Sequence, residues 1–209
     1  WAKAPYKLHH QGDFVVYSPE CFVKIKNDHI YSYPMKGTID ARLPDAQNTL
    51  TTDPKEINEH NTIVDLIRND LSKVAKEVQV KRFRYLDKIK TQKNEIYHTS
   101  SEIRGKLPPD WKSQLPDLLL SMLPAGSICG APKAKTVSII QEVEQDPRGY
   151  YTGIFGYFDG EELDSAVNIR FIEEKNNQLL YRSGGGITFL SDMESEYNEL
   201  IEKIYVPVV

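Results

Sequence analysis

Apolar residues recur at helical spacing between Asp53 and Val78, and this pattern predicts an amphipathic helix over that stretch. At about 100° per residue, five apolar side chains fall on one face. They are Ile63, Val64, Ile67, Leu71 and Val74. Asp53 is suited to the N-cap of the helix, and Pro54 is suited to its first turn.

Polar side chains occupy the beginning of the same apolar face. Glu56 and His60 project from its middle, one to two turns before the apolar run, and Glu59 lies at its margin. We therefore expect the two carboxylates to face the inside of the protein. The alternative is that Glu56 completes a capping box with Asp53, while Glu59 is a surface residue favoured by the helix dipole.

A second acidic helix is predicted from Ser191 to Tyr205, with Glu194 in the position of a capping-box residue. Its apolar stripe consists of Met193, Tyr197, Leu200 and Ile204. Glu196, Glu199 and Lys203 line one edge of that stripe. Carboxylates three residues apart on a helix are neighbours, so each helix offers a pair of hard oxygen ligands to one cation. Two such pairs favour Mg²⁺.

Alternating and β-branched segments predict strands in the rest of the chain. They cover Asp13 to Tyr17, Phe22 to Lys26, His29 to Tyr33, Gln79 to Lys90, Glu95 to Arg104, Tyr151 to Phe158, Ala166 to Glu173 and Gln178 to Ser183. The Asn27-Asp28 pair predicts a hairpin turn. A helix is predicted from Trp111 to Leu123, with an interruption at Pro116, and another follows Lys133, with apolar positions at Val137, Ile139, Ile140 and Val143.

Two glycine-containing segments could bring backbone close to a ligand. The loop from Gly126 to Lys133 precedes a helix and would present N–H groups to an anion, although the same residues also make ordinary turns. Gly184, Gly185 and Gly186 would allow a backbone to lie against a ligand, and plain flexibility is the alternative.

Potentially reactive side chains flank the predicted hairpin. Glu20 precedes it and Lys36 follows it, and an ordinary ion pair between the two on a solvated surface is the alternative. His98 lies inside a predicted strand, where a single histidine is usually structural.

Composition excludes several classes of function. A net charge of −4 over 209 residues, without a basic run, argues against binding to nucleic-acid phosphates. The sequence has no 18-residue apolar stretch and no signal peptide, so no membrane partner is expected. Its two cysteines lack CxxC spacing, which favours a cytoplasmic location.

Eight short motifs in a fixed order make the chain similar to one known family. They are SPE at Ser18, PMKGT at Pro34, KEINEH with VDLIRND from Lys55, GAPK at Gly130, RGYYTGIFGYFDG at Arg148, NIR at Asn168, GGGI at Gly184 and SEYNELIEK at Ser195. Together they resemble the chorismate-utilising enzymes, the family of anthranilate synthase component I, aminodeoxychorismate synthase component I, isochorismate synthase and salicylate synthase.

The resemblance implies an α/β (α+β) fold of the anthranilate-synthase type, in which antiparallel sheets enclose helices. Residues 1–209 would form one chorismate-binding catalytic domain. Family members carry on the order of 100 further residues before the Ser-Pro-Glu motif, so we expect this domain to be incomplete at its N-terminus.

The resemblance also assigns roles to the candidate residues. Glu59 and Glu199 would be the principal ligands of Mg²⁺, with Glu56 and Glu196 close by. The same two pairs of carboxylates are predicted by helical periodicity, independently of the resemblance. Glu20 would be the general acid that helps the C4 hydroxyl of chorismate to leave, a task that needs a carboxyl kept protonated by its surroundings.

The remaining roles concern the substrate. His98 would lie under the ring near Glu56. Tyr151 and Arg170 would hold the second carboxylate, for which a guanidinium is a suitable partner. The other implied contacts are Thr38, Gly184, Gly185, Gly186 and Lys203.

Lys36 is the residue that bears on the product. Pro-x-Lys-Gly-Thr resembles aminodeoxychorismate synthase component I, in which the lysine amine adds at C2 before ammonia attacks C4, whereas anthranilate and isochorismate synthases usually have a small residue there. A lysine that only pairs with a carboxylate is the alternative. The resemblance thus implies C4 amination for p-aminobenzoate and folate synthesis, with ammonia from a separate glutamine amidotransferase subunit. Anthranilate synthase component I and a non-catalytic chorismate-binding or subunit-docking fragment are the competing hypotheses.

Two cysteines depart from the family pattern. Cys129 stands where Ser or Thr is usual, and Cys21 follows the general acid where Arg is common. Substrate contacts at these two positions are therefore expected to differ.

Overall fold

The computed structural model describes residues 4–90, 95–188 and 191–204, which contain eleven strands and six helices. The strands are β1 (Tyr6–His10), β2 (Phe14–Ser18), β3 (Cys21–Lys26), β4 (His29–Ser32), β5 (Met35–Asp40), β6 (Lys76–Lys90), β7 (Glu95–Lys106), β8 (Ile154–Phe158), β9 (Leu163–Val167), β10 (Phe171–Lys175) and β11 (Gln178–Arg182). The helices are α1 (Ala46–Thr52), α2 (Pro54–Ser72), α3 (Leu115–Met122), α4 (Gly126–Cys129), α5 (Lys133–Val143) and α6 (Met193–Glu202). None of the helices in these segments has both the length and the apolar character needed to cross a membrane.

The chain divides into two compact units. The first consists of Trp1–Phe22, Asp146–Tyr157 and Ser165–Val209, and the second consists of Val23–Gln145 and Phe158–Asp164. The expectation of a mixed α/β fold with antiparallel sheets is confirmed, since the strand pairs below are antiparallel.

The first unit contains a four-stranded sheet in the order β1-β2-β10-β11. Alternate residues of β2 are buried, as expected for a strand with one face against a core. Phe14 and Val16 of β2 pack with Phe171 of β10, and Tyr151 lies against this cluster. Tyr151, a candidate substrate-binding residue, therefore packs against the apolar core of this unit.

The other sheet has seven strands, in the order β5-β7-β4-β3-β9-β8, with β6 paired to β7. The hairpin predicted at Asn27-Asp28 is confirmed, with Lys26 opposite His29. Both turn residues have positive φ, 50° and 57°, as two-residue turns between twisted strands require.

Strand β7 is flanked by two irregular neighbours. On one side β5 pairs with it through a bulge, since the register shifts between Lys36 and Thr38. On the other side β6 shifts register three times, the last time between Arg82 and Tyr85. Bulges redirect side chains locally, and these two lie on both sides of residues 99–101.

Helix α2 packs against β5, β6 and β7. Its buried residues include the predicted Ile63, Val64 and Leu71, together with His60 and Asp70. The face predicted from periodicity is therefore the face that the protein buries.

Several predicted boundaries are wrong. Helix α2 ends at Ser72 instead of Val78, because β6 already begins at Lys76. The predicted strand from Ala166 to Glu173 is split into β9 and β10 at residues 168–170, where Arg170 has a φ of +54°. The loop predicted from Gly126 begins as the one-turn helix α4.

Three elements lay outside the predictions, namely β1, α1 and β5. The last helix, predicted to reach Tyr205, is observed as α6 and ends at Glu202. Tyr205 itself lies outside the described residues.

Candidate functional site

The beginning of α2 presents the first pair of candidate carboxylates. Asp53 is the N-cap, and its side chain accepts hydrogen bonds from the backbone N–H groups of Lys55 and Glu56, at 2.8 and 3.3 Å. The backbone N–H of Asp53 already donates to the Thr49 carbonyl. A reciprocal capping box therefore does not account for the Glu56 side chain.

The Glu56 carboxylate faces strand β5 at Gly37. A Cβ atom built on Gly37 would lie 2.6 Å from Oε2 of Glu56 and 3.0 Å from a methyl group of Leu50. Gly37 also has a φ of +79°, a conformation that side chains rarely adopt. Glycine is therefore favoured at this position by its backbone conformation, and any other residue would also displace the Glu56 carboxylate.

Glu56 is only partly exposed, and its surroundings favour the protonated form. Burial is the main cause that raises its pKa, and the negative charges of Glu59 and Asp53 raise it further. The positive charges of Lys36 and Lys55 oppose this shift. Because the negative charge of Glu59 raises the pKa of Glu56, a cation bound beside the two carboxylates would relieve their repulsion.

Lys36 projects from β5 toward the same carboxylates. Its Nζ atom donates a 2.9 Å hydrogen bond to Oε2 of Glu59, and the two side chains are 45% and 27% exposed. Because the pair is partly solvated, it contributes little to stability, on the order of 1 kcal/mol or less. The pair is relevant to function because it places an amine beside a candidate metal ligand.

His98 and Thr38 lie opposite each other in the register of β7 and β5. His98 is buried, and its Nε2 atom lies 3.5 Å from Oδ2 of Asp87. Burial lowers the pKa of His98, and Asp87 opposes that shift. Thr38 is exposed. Lys36, Thr38, Glu56, Glu59 and His98 thus all belong to the second unit, on β5, α2 and β7.

No functional role is predicted for His60 from the sequence, and the structure shows that it is the most buried titratable group of this region. It has no exposed surface, and its Nε2 and Nδ1 atoms lie 2.7 Å from Ser101 Oγ and 3.3 Å from Thr99 Oγ1. Burial lowers its pKa to about 4, Arg84 lowers it as well, and a hydrogen bond with the Lys36 backbone opposes the shift. The signal in the sequence was its place between Glu59 and the apolar face of the helix.

The first unit carries the other candidate residues, beginning with Tyr151 in a tight turn. The turn is held by Asn168, whose Nδ2 donates to the Tyr150 carbonyl at 2.9 Å and whose backbone N–H donates to the Gly153 carbonyl at 2.8 Å. A Cβ atom on Gly184 would lie 2.9 Å from the Tyr151 hydroxyl. Tyr151 and Gly184 are therefore in direct contact, and Asn168 was not predicted as their support.

Glu20 and Arg170 are fixed through their backbones. The carbonyl of Glu20 accepts a bond from Val167 N–H, and the carbonyl of Arg170 accepts one from Tyr17 N–H, both at 3.2 Å. The N–H of Glu20 donates to Ser18 Oγ at 3.1 Å. Both candidate side chains thus start from ordered backbone in the first unit.

Helix α6 carries the second pair of carboxylates. Oε1 of Glu196 accepts a 2.6 Å hydrogen bond from Ser191 Oγ, and a Cβ atom on Gly185 would lie 3.8 Å from its Oε2. Oε1 of Glu199 lies 2.5 Å from Nζ of Lys203, one turn later. Like Glu59, Glu199 is paired with a lysine.

The predicted cap and packing of this helix need correction. Its N-cap is Asp192, which accepts a bond from Ser195 N–H at 2.9 Å, so Glu194 is not a capping-box residue. The predicted apolar stripe is not buried, since Met193 and Tyr197 are 86% and 63% exposed. Periodicity identified the stripe but could not show that, among the described residues of this unit, it is left largely exposed.

The segment from Gly126 to Lys133 is tied to α2. Nζ of Lys133 donates to Oδ2 of Asp70 at 2.6 Å and to the Met122 carbonyl at 2.9 Å, while Asp70 Oδ1 accepts from Lys73 at 2.7 Å. Anion binding by this segment stays a prediction. Cys129 is buried beside it, and burial raises the pKa of its thiol.

The donor chemistry of the two glutamate pairs suits a hard divalent cation. Glu56 and Glu59 offer carboxylate oxygens on one helix, and Glu196 and Glu199 do so on another. Each pair already has a positively charged partner, Lys36 or Lys203, beside one member. Across the described parts of the chain, no group of three or more His, Cys, Asp or Glu residues is arranged to hold a metal ion.

Comparisons with known proteins agree over nearly the whole chain. Residues 3–208 match the sequence profile of the chorismate binding enzymes. An uncharacterized PabA-like protein of Pasteurella multocida (strain Pm70) is 62% identical over 205 residues, which is 98% of this chain and 63% of that protein. Aminodeoxychorismate synthase component 1 of Salmonella typhimurium (strain LT2) is 35% identical over 205 residues, 93% of this chain and 43% of that enzyme.

A solved structure shares the fold. The crystal structure of anthranilate synthase component I from Streptococcus pneumoniae TIGR4 superposes with a TM-score of 0.81 at 32% identity, covering 97% of this chain and 45% of that one. The chain therefore spans between about two fifths and two thirds of the length of the proteins it matches.

Proposed function

Because this chain belongs to the family of chorismate binding enzymes, we propose that it aminates chorismate at C4, with Lys36 as a covalent nucleophile. The product would be 4-amino-4-deoxychorismate, the precursor of p-aminobenzoate in folate synthesis. The proposal rests on the Pro-x-Lys-Gly-Thr motif and on the position of the Lys36 amine beside the candidate carboxylates Glu56 and Glu59. The 2.9 Å ion pair between Lys36 and Glu59 has to open before the amine can attack in its neutral form, and a cation bound by Glu59 would open it.

The proposed chemistry proceeds in two displacements. The Lys36 amine forms a bond to C2 of the ring while the double bonds shift and the bond between C4 and its hydroxyl breaks. Glu20 supplies the proton with which that hydroxyl leaves as water. Ammonia then forms the bond at C4, the double bonds shift back, and the bond between C2 and Lys36 breaks.

The residues in each unit have matching tasks in this proposal. Tyr151, Arg170 and Lys203 bind the negative charges of the substrate, and the backbone N–H groups of Gly184 to Gly186 add donors. Thr38 contacts the substrate through its hydroxyl. His98, whose pKa is lowered by burial, lies opposite Thr38 in the sheet register and is assigned to the ring.

Mg²⁺ is the cofactor that the carboxylate pairs would bind. Glu59 and Glu199 are the proposed principal ligands, and Glu56 and Glu196 are assigned to it directly or through water. The cation would hold and polarise the ring carboxylate when bound. The proposed source of ammonia is a separate glutamine amidotransferase subunit.

The test is an assay of the chain with chorismate, Mg²⁺ and an ammonium salt, in which the product is identified by mass. The parent chain is expected to form 4-amino-4-deoxychorismate, and Lys36→Ala is expected to lose at least about 100-fold of that rate while chorismate still binds. Lys36→Arg should not restore the rate, because a guanidinium stays charged and cannot attack. Lys55→Ala is the matched control, since Lys55 also lies near Glu56 but is assigned no role.

Anthranilate synthesis is the second candidate function. It is favoured by the similarity to the solved anthranilate synthase component I, whose 32% identity is close to the 35% of the aminodeoxychorismate synthase. In that case the same assay would yield anthranilate and pyruvate, and Lys36→Ala would keep its rate. Chorismate binding without turnover would instead support a non-catalytic or subunit-docking role.

A further inference from the structure

Lys36 lies at an irregular point of the sheet. Lys36 pairs with Thr99 of β7, but the next pair is Thr38 with His98, so Gly37 is an extra residue on β5. Gly37 has a φ of +79°, the left-handed conformation in which glycine commonly forms a bulge. The register of the ladder therefore changes directly after Lys36, and the backbone at this point is held by more than the regular strand pairing.

The side chain of Thr99 contacts the backbone at this bulge. Its hydroxyl donates to the carbonyl oxygen of Lys36, and its side chain is completely buried. The same hydroxyl oxygen lies 3.3 Å from Nδ1 of His60. A threonine on the neighbouring strand thus binds the backbone of Lys36 directly beside the bulge.

The hydrogen bonds around His60 are consistent with a single tautomer. The backbone N–H of Arg84 donates to Ser101 Oγ at 3.0 Å, so the Ser101 hydroxyl is free to donate to Nε2 of His60, 2.7 Å away. The proton of the neutral imidazole then lies on Nδ1, which points at Thr99. One directed chain of hydrogen bonds therefore leads from Arg84 through Ser101, His60 and Thr99 to Lys36.

The chain of hydrogen bonds joins two bulges. Arg84, with a φ of +43°, belongs to the last register shift of β6, and Gly37 marks the shift of β5. Thr99 and Ser101 are two residues apart on β7, so both hydroxyls point to the face against which α2 places His60. The imidazole bridges the two hydroxyls and fixes both irregularities at once.

We propose that His60 and Thr99 are positioning residues for Lys36, and that they hold the bulge that aims its amine at Glu59. The reason is geometric. Successive side chains of a strand point to opposite faces, so removing the extra residue from the register would turn Lys36 to the other face of the sheet. This inference rests on the proposed function only in giving the Lys36 amine a chemical task.

The test compares three variants in β7. Thr99→Val removes the hydroxyl and keeps the shape, Thr99→Ser keeps the hydroxyl, and Ser100→Ala removes a buried hydroxyl from the opposite face of the same strand. In the assay with chorismate and ammonium, Thr99→Val should lower kcat by about 30-fold with KM for chorismate changed less than about twofold. Thr99→Ser should recover to within about threefold of the parent, and Ser100→Ala should behave as the parent.

A second readout does not depend on turnover. Lys36 is labelled with a small amine-directed acylating reagent, and the rate is followed on its peptide by mass spectrometry. Release of Lys36 from the bulge should change its labelling rate at least about threefold in Thr99→Val and leave it unchanged in Thr99→Ser and Ser100→Ala. Circular dichroism shows whether each variant is folded. Thr99→Ala, whose side chain is smaller than valine, is expected to change the labelling rate in the same way as Thr99→Val.

The outcomes separate this inference from the proposed function. If Lys36→Ala keeps the parental product and rate, or the parent does not aminate chorismate, the proposed function fails while the labelling of Lys36 still decides the positioning role. Equal effects of Thr99→Val and Ser100→Ala, or an unchanged labelling rate in Thr99→Val, would overturn the positioning role. In the Lys36→Ala background, Thr99→Val should add no further loss to any residual rate, whereas a general structural defect would add one.

Discussion

Nζ of Lys36 donates a hydrogen bond to Oε2 of Glu59 at 2.9 Å, so the amine is bound to the oxygen that a divalent cation would need. We expect the lysine and the cation to compete for this carboxylate. Lys36→Met should therefore tighten the binding of Mn²⁺, used as a spectroscopic substitute for Mg²⁺, by about threefold to tenfold. Electron paramagnetic resonance titration of the free ion measures the dissociation constant without any assay of activity.

The matched control for this competition is Lys55→Met. Lys55 also acts on Glu56 electrostatically, yet its backbone, and not its amine, makes the contact at the helix start. Its removal should change Mn²⁺ affinity by less than about twofold. Equal tightening by both variants would mean that the ion pair with Glu59 does not matter and that only net charge does.

The metal assignment itself predicts that Glu59→Gln and Glu199→Gln each weaken Mg²⁺ binding by at least about tenfold and lower turnover with it. Each variant removes a charged ligand while nearly keeping its shape. Asp65→Asn, which removes a charge from the exposed side of α2, should leave the Mg²⁺ dependence unchanged. Parental Mg²⁺ dependence in both glutamine variants would show that these residues are not ligands.

Gly37→Ala should destabilise the protein by more than its backbone conformation alone explains. The new Cβ would meet Oε2 of Glu56 at 2.6 Å, and the positive φ adds about 1–2 kcal/mol. We expect a total loss of about 3 kcal/mol in the free energy of unfolding, measured with urea.

Gly130→Ala is the comparison in which no side chain is met. Gly130 belongs to the same unit and has a φ of +74° and a ψ of −168°, and a Cβ atom there would meet nothing within 4 Å. Its loss, about 1–3 kcal/mol, should therefore come from the backbone conformation alone. Similar losses in the two variants would mean that the protein accommodates the contact with Glu56 by moving the carboxylate.

Local patterns explain which parts of the fold and site could be predicted. The inward direction of Glu56 and Glu59 followed from helical periodicity, and the hairpin followed from Asn27-Asp28, because both depend on neighbours in the sequence. The identity of Lys36 as a candidate came from the motif around it and not from periodicity.

Contacts between distant segments explain what could not be predicted. The pairing of Lys36 with Glu59 joins residues 23 positions apart, and Thr99 reaches the Lys36 carbonyl across 63. β5 shows no alternating pattern in the sequence because the bulge places an extra residue, Gly37, in the strand. The bulge itself is defined only by the pairing of β5 with β7. Likewise, the burial of His60 and Asp70 depends on the sheet that α2 covers.

The buried pair of Asp70 and Lys133 predicts a large loss of stability in Asp70→Asn. Their side chains are 7% and 17% exposed, and an amide would leave the Lys133 amine without its charged partner. Removing one member of such a pair costs about 3 kcal/mol or more. Asp164→Asn, which breaks the exposed pair with Lys24, should cost no more than about 1 kcal/mol in the same urea titration. Equal losses in the two variants would contradict the structural role of Asp70.

The last prediction concerns pH. Burial lowers the pKa of His60 from 6.5 to about 4, so the folded state prefers the neutral imidazole more strongly than the unfolded chain does. The resulting stability is fully present above about pH 6.5 and is lost as the pH falls toward 4, by about 3 kcal/mol in total. Glu56 contributes with the opposite sign, because its raised pKa favours the folded state at low pH, so the parent must be compared with a variant. Urea unfolding is measured in EDTA between pH 7.5 and 4, and the loss of stability with falling pH should be shallower in His60→Gln than in the parent. His98→Gln should show a smaller change in the same direction, because Asp87 offsets the effect of burial on the pKa of His98. Parallel curves for the parent and His60→Gln would mean that His60 accepts a proton in the folded protein as easily as in the unfolded chain.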